Sequence, residues 1–202
     1  MKRVVIGLVG TISCGKDFLA TFLEELGFVN LSLSDRVREE ADRRGLARER
    51  ATLQNVGNDL REVFGAQVLA ERTATMIPDD VKLIVISGIR NPGEILFLKD
   101  TLGITIVGVD APVELRLGWY LERARRRGED GATEEDFWRA NARDLGEGED
   151  SNGQQGTMCL EIADHMIQND GTGRFLLDSV EFLESGFGLD FEGRKKRGKE
   201  KA

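Results

Sequence analysis

Residues Gly10 to Lys16 (GTISCGK) carry the spacing G-x-x-x-x-G-K. A chain spaced this way can turn tightly enough to aim successive backbone N–H groups at one anion. The closing lysine then reaches the β and γ oxygens of a nucleoside triphosphate. Gly10, Thr11, Ile12, Ser13, Cys14, Gly15 and Lys16 are therefore candidate ligands of a bound nucleotide, with Asp17 and Phe18 opening the segment behind them. A plain tight turn would also use glycine. The flanks favour phosphate, because VVIGLVG before the loop reads as a strand and DFLATFLEEL after it as a helix whose positive end faces the same anion. Asp17 stands where a Ser or Thr hydroxyl usually follows the lysine. Its carboxylate is either an oxygen ligand for Mg²⁺ or a first-turn charge that complements the helix dipole. Cys14 reads as a small residue filling the loop.

Phosphoryl transfer also needs a second anion pocket facing the loop. Asp35 and Arg38, in SDRVREE, share a helix face at a spacing of three. Arg90, in SGIRNPGE, follows a buried strand, and open α/β sheets bind ligands at the carboxyl ends of their strands. Arg61 shares a face with Asn58. The competing reading for each arginine is a surface ion pair, which Arg90 escapes best through its place at a strand end. In ERARRRGED, Arg123 and Arg127 are the choices for the inner face of a lid closing over the transferred phosphate; cations are also favoured at any helix C-terminus. Asp35 is the candidate to orient or deprotonate an acceptor hydroxyl. The one histidine, His165, reads as structural, and no Cys/His cluster suits zinc.

These residues need elements to position them. Short apolar runs alternate with longer amphipathic stretches, which is the pattern of a parallel sheet with crossover helices. Strands are expected over 3–9, 29–33, 82–87, 104–109 and 164–168, with helices over 15–26, 35–44, 53–76, 92–101, 113–127, 134–143 and 173–184. Ser34 and Thr133 read as helix caps. The expected fold is α/β: a three-layer, doubly wound, five-stranded parallel sheet with a small helical lid over about 123–150. Residues 1–191 read as one domain and 192–202 (EGRKKRGKEKA) as a basic disordered tail.

With 202 residues, 40% apolar and 32% charged, the chain suits a soluble domain with a densely charged surface. Its net charge of -8 opposes a nucleic-acid platform but leaves room for a local cationic pocket. No stretch is long and apolar enough for a membrane span. Two cysteines fit a reducing cytoplasm. Either a monomer or a homodimer is compatible with these features.

GLVGTISCGK, LSLSDRVREEADRRGL, NDLREVFG, VISGIRNPGE, ERARRRGED and ADHMIQNDGT stand in one order over residues 3 to about 183. In that order the chain resembles the P-loop nucleoside monophosphate kinase superfamily, most closely archaeal adenylate-kinase-like and dephospho-CoA-kinase-like P-loop proteins. The resemblance implies ATP and Mg²⁺ as cofactors and a nucleoside monophosphate or related nucleotide such as dephospho-CoA as acceptor. It implies that Lys16 stabilises the transferred group, that Arg38 and Arg90 hold the acceptor, and that Arg123 and Arg127 act from the lid. It also puts Asn169 to Thr172 near the adenine. Ser87 replaces the acid of an Asp-Gly pair usual in relatives, and the Gly-Lys-Asp loop resembles that of phage-type deoxynucleotide kinases and animal phosphomevalonate kinases. These departures keep open a non-catalytic nucleotide sensor, and GQQ at 153–155 resembles P-loop domains that accompany some deoxycytidylate deaminases.

Overall fold

The computed structural model describes residues 3–127 and 133–191. Its strands are β1 (Val4–Gly10), β2 (Val29–Ser32), β3 (Leu83–Ser87), β4 (Thr105–Asp110) and β5 (His165–Gln168). They form one parallel sheet in the order β2-β3-β1-β4-β5. Between them run α1 (Lys16–Glu25), α2 (Leu33–Arg43), α3 (Arg50–Phe64), α4 (Val68–Ala74), α5 (Pro92–Leu102), α6 (Val113–Arg127), α7 (Glu134–Leu145), α8 (Gly156–Glu161) and α9 (Arg174–Phe187). The doubly wound α/β sheet is the one the alternating pattern called for.

All seven residues of β1 are buried, as a strand covered on both faces requires. Val4, Ile6 and Leu8 enter a core with Leu19 and Leu23 of α1 and Phe175 and Val180 of α9. Val5 and Val9 enter the opposite core with Val56 and Leu60 of α3 and Ile95 and Leu98 of α5. This is the period-two alternation of a strand written into the core assignments. A third, smaller cluster joins Ile12 of the phosphate loop to Tyr120 of α6 and Phe137 of α7. The loop is thereby packed against the two helices that follow β4.

Because β1 lies between β3 and β4, the winding reverses at its carboxyl end, and a crevice opens there. Three expectations about elements are corrected. The helix over 53–76 is two helices, since Gly65 at φ 100 ends α3 before α4 begins. Ser34 lies inside α2, which starts at Leu33 directly from the extended Ser32, so its hydroxyl is not the cap. Helix α8 (Gly156–Glu161) is not among the expected helices. Thr133 does cap α7, in a reciprocal box with Asp136. Within the lid stretch, residues 128–132 lie outside the described part, as does the basic tail 192–202. Among the described residues, no helix is long and apolar enough to cross a membrane.

Candidate functional site

The loop after β1 is shaped by close approaches that exclude side chains. A Cβ on Gly10 would lie 2.3 Å from the Val109 carbonyl oxygen of β4. Gly15, at φ 98, leads into α1, and a Cβ there would meet Asn169 Nδ2 at 2.4 Å. Ser13 holds φ 59, a conformation that costs a non-glycine residue about 1–3 kcal/mol and must be enforced by its surroundings. The enforcement comes from three sides. Thr11 Oγ1 donates to Asp110 Oδ1 at 2.8 Å. Asn169 Nδ2 donates to the Cys14 carbonyl at 3.0 Å. Arg116 Nη1 donates to the Ile12 carbonyl at 3.4 Å and to Asn141 Oδ1 at 2.6 Å. Cys14 is buried in the core, as a loop filler should be.

Lys16 is 5% exposed, and its Nζ donates to the Thr11 carbonyl at 3.1 Å. Burial, followed by the Arg90 charge, lowers its proton affinity below that of an ordinary lysine, against the opposing pull of Cys14 and Asp17. A triphosphate placed there would supply the negative charge that this lysine lacks.

Two cavities open on the loop. The first, about 650 Å³, is lined by the loop from Ser13 to Phe18, by Trp119 and Arg123 of α6, and by Asn169 to Gly173 with Phe175. Asp170 is outside this lining. Phe18 is 51% exposed and its ring lies 6.1 Å from that of Phe175. The second cavity, about 470 Å³, is lined by Asn30, Ser32, Ser34, Asp35 and Arg38, by Arg48, Arg50 and Gln54, and by Ser87 and Arg90. Lys16, Asp17 and Arg123 line both. One cavity is furnished with aromatic rings beside a phosphate loop, and the other with hydroxyls and arginines. A nucleotide's base and a small anion are the chemistries that match them.

Asp35 and Arg38 lie in the second cavity and pair at 2.7 Å. Arg90 lines it too; its guanidinium is ion-paired to Asp144 of α7, and burial lowers its proton affinity. Its backbone is fixed at both ends, the N–H donating to Glu94 Oε2 at 2.7 Å and the carbonyl accepting from the Gln155 N–H at 2.8 Å. Arg61 is placed otherwise than expected. It lines neither cavity. It is 3% exposed and donates to Glu94 Oε1 at 2.9 Å, so it grips the carboxylate that holds the Arg90 turn. Its α3 face points into the core, where an unpaired guanidinium would be costly. The side chain of Arg127, at the end of α6, lies outside the described residues. His165 stacks on Phe182 at 4.1 Å, away from both cavities.

Trp119, Arg48, Arg50, Arg116 and Asp144 were not singled out in the sequence. Arg48 and Arg50 had a signal, two arginines opening the α3 pattern, but nothing local distinguishes them from surface charges. Among the described residues, no group of three or more His, Cys, Asp or Glu is arranged to hold a metal ion. Among the described residues, Asp17 is the carboxylate that lines both cavities, beside the phosphate loop.

No model of a known protein family matches the chain. It is 32% identical over 171 residues to a UPF0200 protein of Hyperthermus butylicus, covering 83% of this chain and 86% of that one. It is 33% identical over 168 residues to a UPF0200 protein of Thermoplasma volcanium, covering 83% and 87%. Among solved structures, it superposes on a shikimate kinase from Bacteroides thetaiotaomicron with TM-score 0.55 and 16% identity, covering 92% of this chain and 99% of that one. A shikimate kinase from Acinetobacter baumannii in complex with shikimate gives TM-score 0.55 and 20% identity, covering 93% and 96%. At such identities the likeness concerns the fold, which is that of the P-loop kinases. By its relatives in sequence, the chain belongs to the UPF0200 family.

Proposed function

We propose that this protein is an ATP-dependent phosphotransferase that moves the γ-phosphate to a nucleoside monophosphate or a related nucleotide such as dephospho-CoA. One observation carries the reading: a donor-type cavity and an anion-type cavity meet at Lys16, Asp17 and Arg123. A transferring phosphoryl group needs that junction, with cations on the group in flight and the attacking oxygen held in line.

In this reading the loop amides and Lys16 hold the β and γ oxygens, and Arg123 neutralises charge that develops on the γ-phosphate. Arg38 and Arg90 hold the acceptor. Asp35 orients an acceptor hydroxyl and receives its proton where the acceptor has one. Bound Mg²⁺ would supply further neutralisation of the phosphates. Asp17 fits it, being an exposed carboxylate at the mouth shared by both cavities. Trp119, Phe18 and Phe175 provide the apolar surface for the base.

The test is ADP formation from ATP and Mg²⁺ over a panel of nucleoside monophosphates and dephospho-CoA. Acceptor-dependent ADP that vanishes in Lys16→Ala supports the reading and names the acceptor. Tight ATP binding with no acceptor active across the panel would favour the sensor, to which Asp17 and Ser87 point.

A further inference from the structure

Arg90 enters the second cavity from the turn beyond β3, with its backbone held by Glu94 and Gln155. Its guanidinium is held from behind, by a residue that lines neither cavity. Arg90 Nη1 donates to Oδ1 of Asp144, which is 1% exposed. Asp144 Oδ2 is buried too and has no hydrogen-bond partner among the described residues. Nothing in α7 itself asks for a carboxylate at this point. Asp144 is the penultimate residue of the helix, where the negative end of the dipole opposes an acid. Burial of a carboxylate is also unfavourable unless a cation answers it, and the cation here is Arg90.

The same helix reaches the other side of the site. Its buried face carries Phe137, Asn141 and Asp144, at the spacings of four and three that align side chains along a helix. Phe137 packs in one cluster with Ile12 of the phosphate loop. Asn141 Oδ1 accepts from Arg116 Nη1 at 2.6 Å, and that nitrogen also donates to the Ile12 carbonyl at 3.4 Å. One face of α7 therefore spans from the phosphate loop to the acceptor-side arginine. The spacing between them bears on transfer: after burial, the Arg90 charge is the strongest influence lowering the proton affinity of Lys16.

We propose that Asp144 is a positioning residue: its carboxylate aims the Arg90 guanidinium into the second cavity, and α7 keeps that arginine in register with the phosphate loop. The inference rests on the kinase reading, in which Arg90 holds the acceptor, and gives Asp144 a part in acceptor binding without touching the acceptor. A guanidinium is a planar fork, so fixing one of its N–H groups on Asp144 sets the direction of the others. Without that anchor the long side chain has more rotamers open to it, and an arriving acceptor must first order the cation that receives it.

The experiment follows ADP formation from ATP and Mg²⁺ by the full chain, with whichever of the nucleoside monophosphates and dephospho-CoA the unaltered protein uses fastest. Asp144→Asn keeps the shape and removes the charge. It should raise the acceptor KM by about tenfold or more while the KM for ATP stays within about twofold. Asp144→Glu, which keeps the charge on a longer stem, should raise the acceptor KM by less than Asp144→Asn does, again with the ATP KM intact. In an Arg90→Ala background, Asp144→Asn should change the acceptor KM by less than about twofold, because a residue acting through Arg90 then has nothing to act on. Where that background turns over too slowly, acceptor affinity measured by calorimetry with AMP-PNP and Mg²⁺ gives the same comparison. Arg139→Ala, which removes an exposed charge on α7, should change neither KM. The proposal is overturned if Asp144→Asn leaves the acceptor KM where it was, raises both KM values alike, or weakens the acceptor as much without Arg90 as with it. If Asp144→Asn does not fold, Asp144→Glu decides: an unchanged acceptor KM, or an equal rise in both, overturns the proposal. No acceptor-dependent ADP from the unaltered protein across the panel would overturn the kinase reading, and the positioning role with it.

Discussion

Lys16 is held almost out of water, with its ammonium donating to the carbonyl of Thr11 and two arginine charges acting against it. That arrangement is unfavourable until an anion arrives, so the Lys16→Ala variant should stay folded and yet lose transfer. We expect ADP formation to fall by about 10²–10³ or more, as when one preorganised donor to a developing charge is removed. A variant within tenfold of the unaltered rate would sink the assignment of the loop. Arg61 belongs to another class. Arg61→Ala leaves Glu94, itself fully buried, without its cation, and breaking a buried pair from one side costs about 3–5 kcal/mol. Urea unfolding should show that loss. Replacing Arg126, whose partner Glu122 is exposed as it is, should shift stability by less than about 1 kcal/mol. Equal losses in the two variants would contradict the burial contrast. If Arg61→Ala folds, its acceptor KM should also rise, because Glu94 Oε2 accepts from the N–H groups of Arg90 and Asn91.

At the scale of elements, an ion-pair chain joins the end of α2 to α3. Glu40 accepts from Arg43 and from Arg44, and Arg44 reaches Asp59 of α3 at 2.9 Å. The two guanidinium groups lower the Glu40 pKa to about 2, whereas an unfolded glutamate titrates near about 4.3. The folded pKa is the lower one. The stabilisation is therefore complete above about pH 4.3 and is lost as pH falls through the window down to about 2, where the unfolded chain takes up a proton that the folded chain refuses. Glu40→Gln should flatten the fall in unfolding midpoint over that window; the same slope in both proteins would show that Glu40 is not its source. The elements were also the part most legible beforehand. Runs such as LIVIS and ITIVGV announce buried parallel strands because nothing else needs so many β-branched residues together, and each of the five lies within a residue or two of expectation. Gly65 was invisible as a break because a lone glycine in a helical pattern is ambiguous until its φ is known. The phosphate loop was legible because its chemistry is contiguous in sequence. The opposite wall was only half legible: Arg90 has the local mark of a strand end, while Arg50 and Asp144 reach the site only through the packing of α3 and α7, which no local spacing records.

Taken whole, the molecule is acidic, at a net charge of -8, and yet concentrates cations where β1 lies between β3 and β4. The sheet performs this separation: its two apolar cores hold helices on both faces, and the helices and loops beyond its carboxyl edge bring the charges to one crevice. The two tryptophans report on the arrangement from different positions. Trp119 of α6 lines the first cavity, while Trp138 of α7 is 45% exposed and its Nε1 donates to Glu134 at 3.1 Å. If the first cavity takes the base and phosphates of ATP, titrating AMP-PNP with Mg²⁺ should change the intrinsic fluorescence through Trp119, since ring stacking or exclusion of water alters its surroundings. Trp119→Phe should remove most of the change and Trp138→Phe should preserve it. The opposite pattern would place the nucleotide at α7 and away from the loop. Because Ile12, Tyr120 and Phe137 form one cluster, a small residual signal from Trp138 is compatible with the assignment, its ring lying 5.1 Å from Phe137. The sign that counts is which replacement removes the saturable part, and a signal that saturates unchanged in Trp119→Phe would empty the first cavity of its proposed ligand.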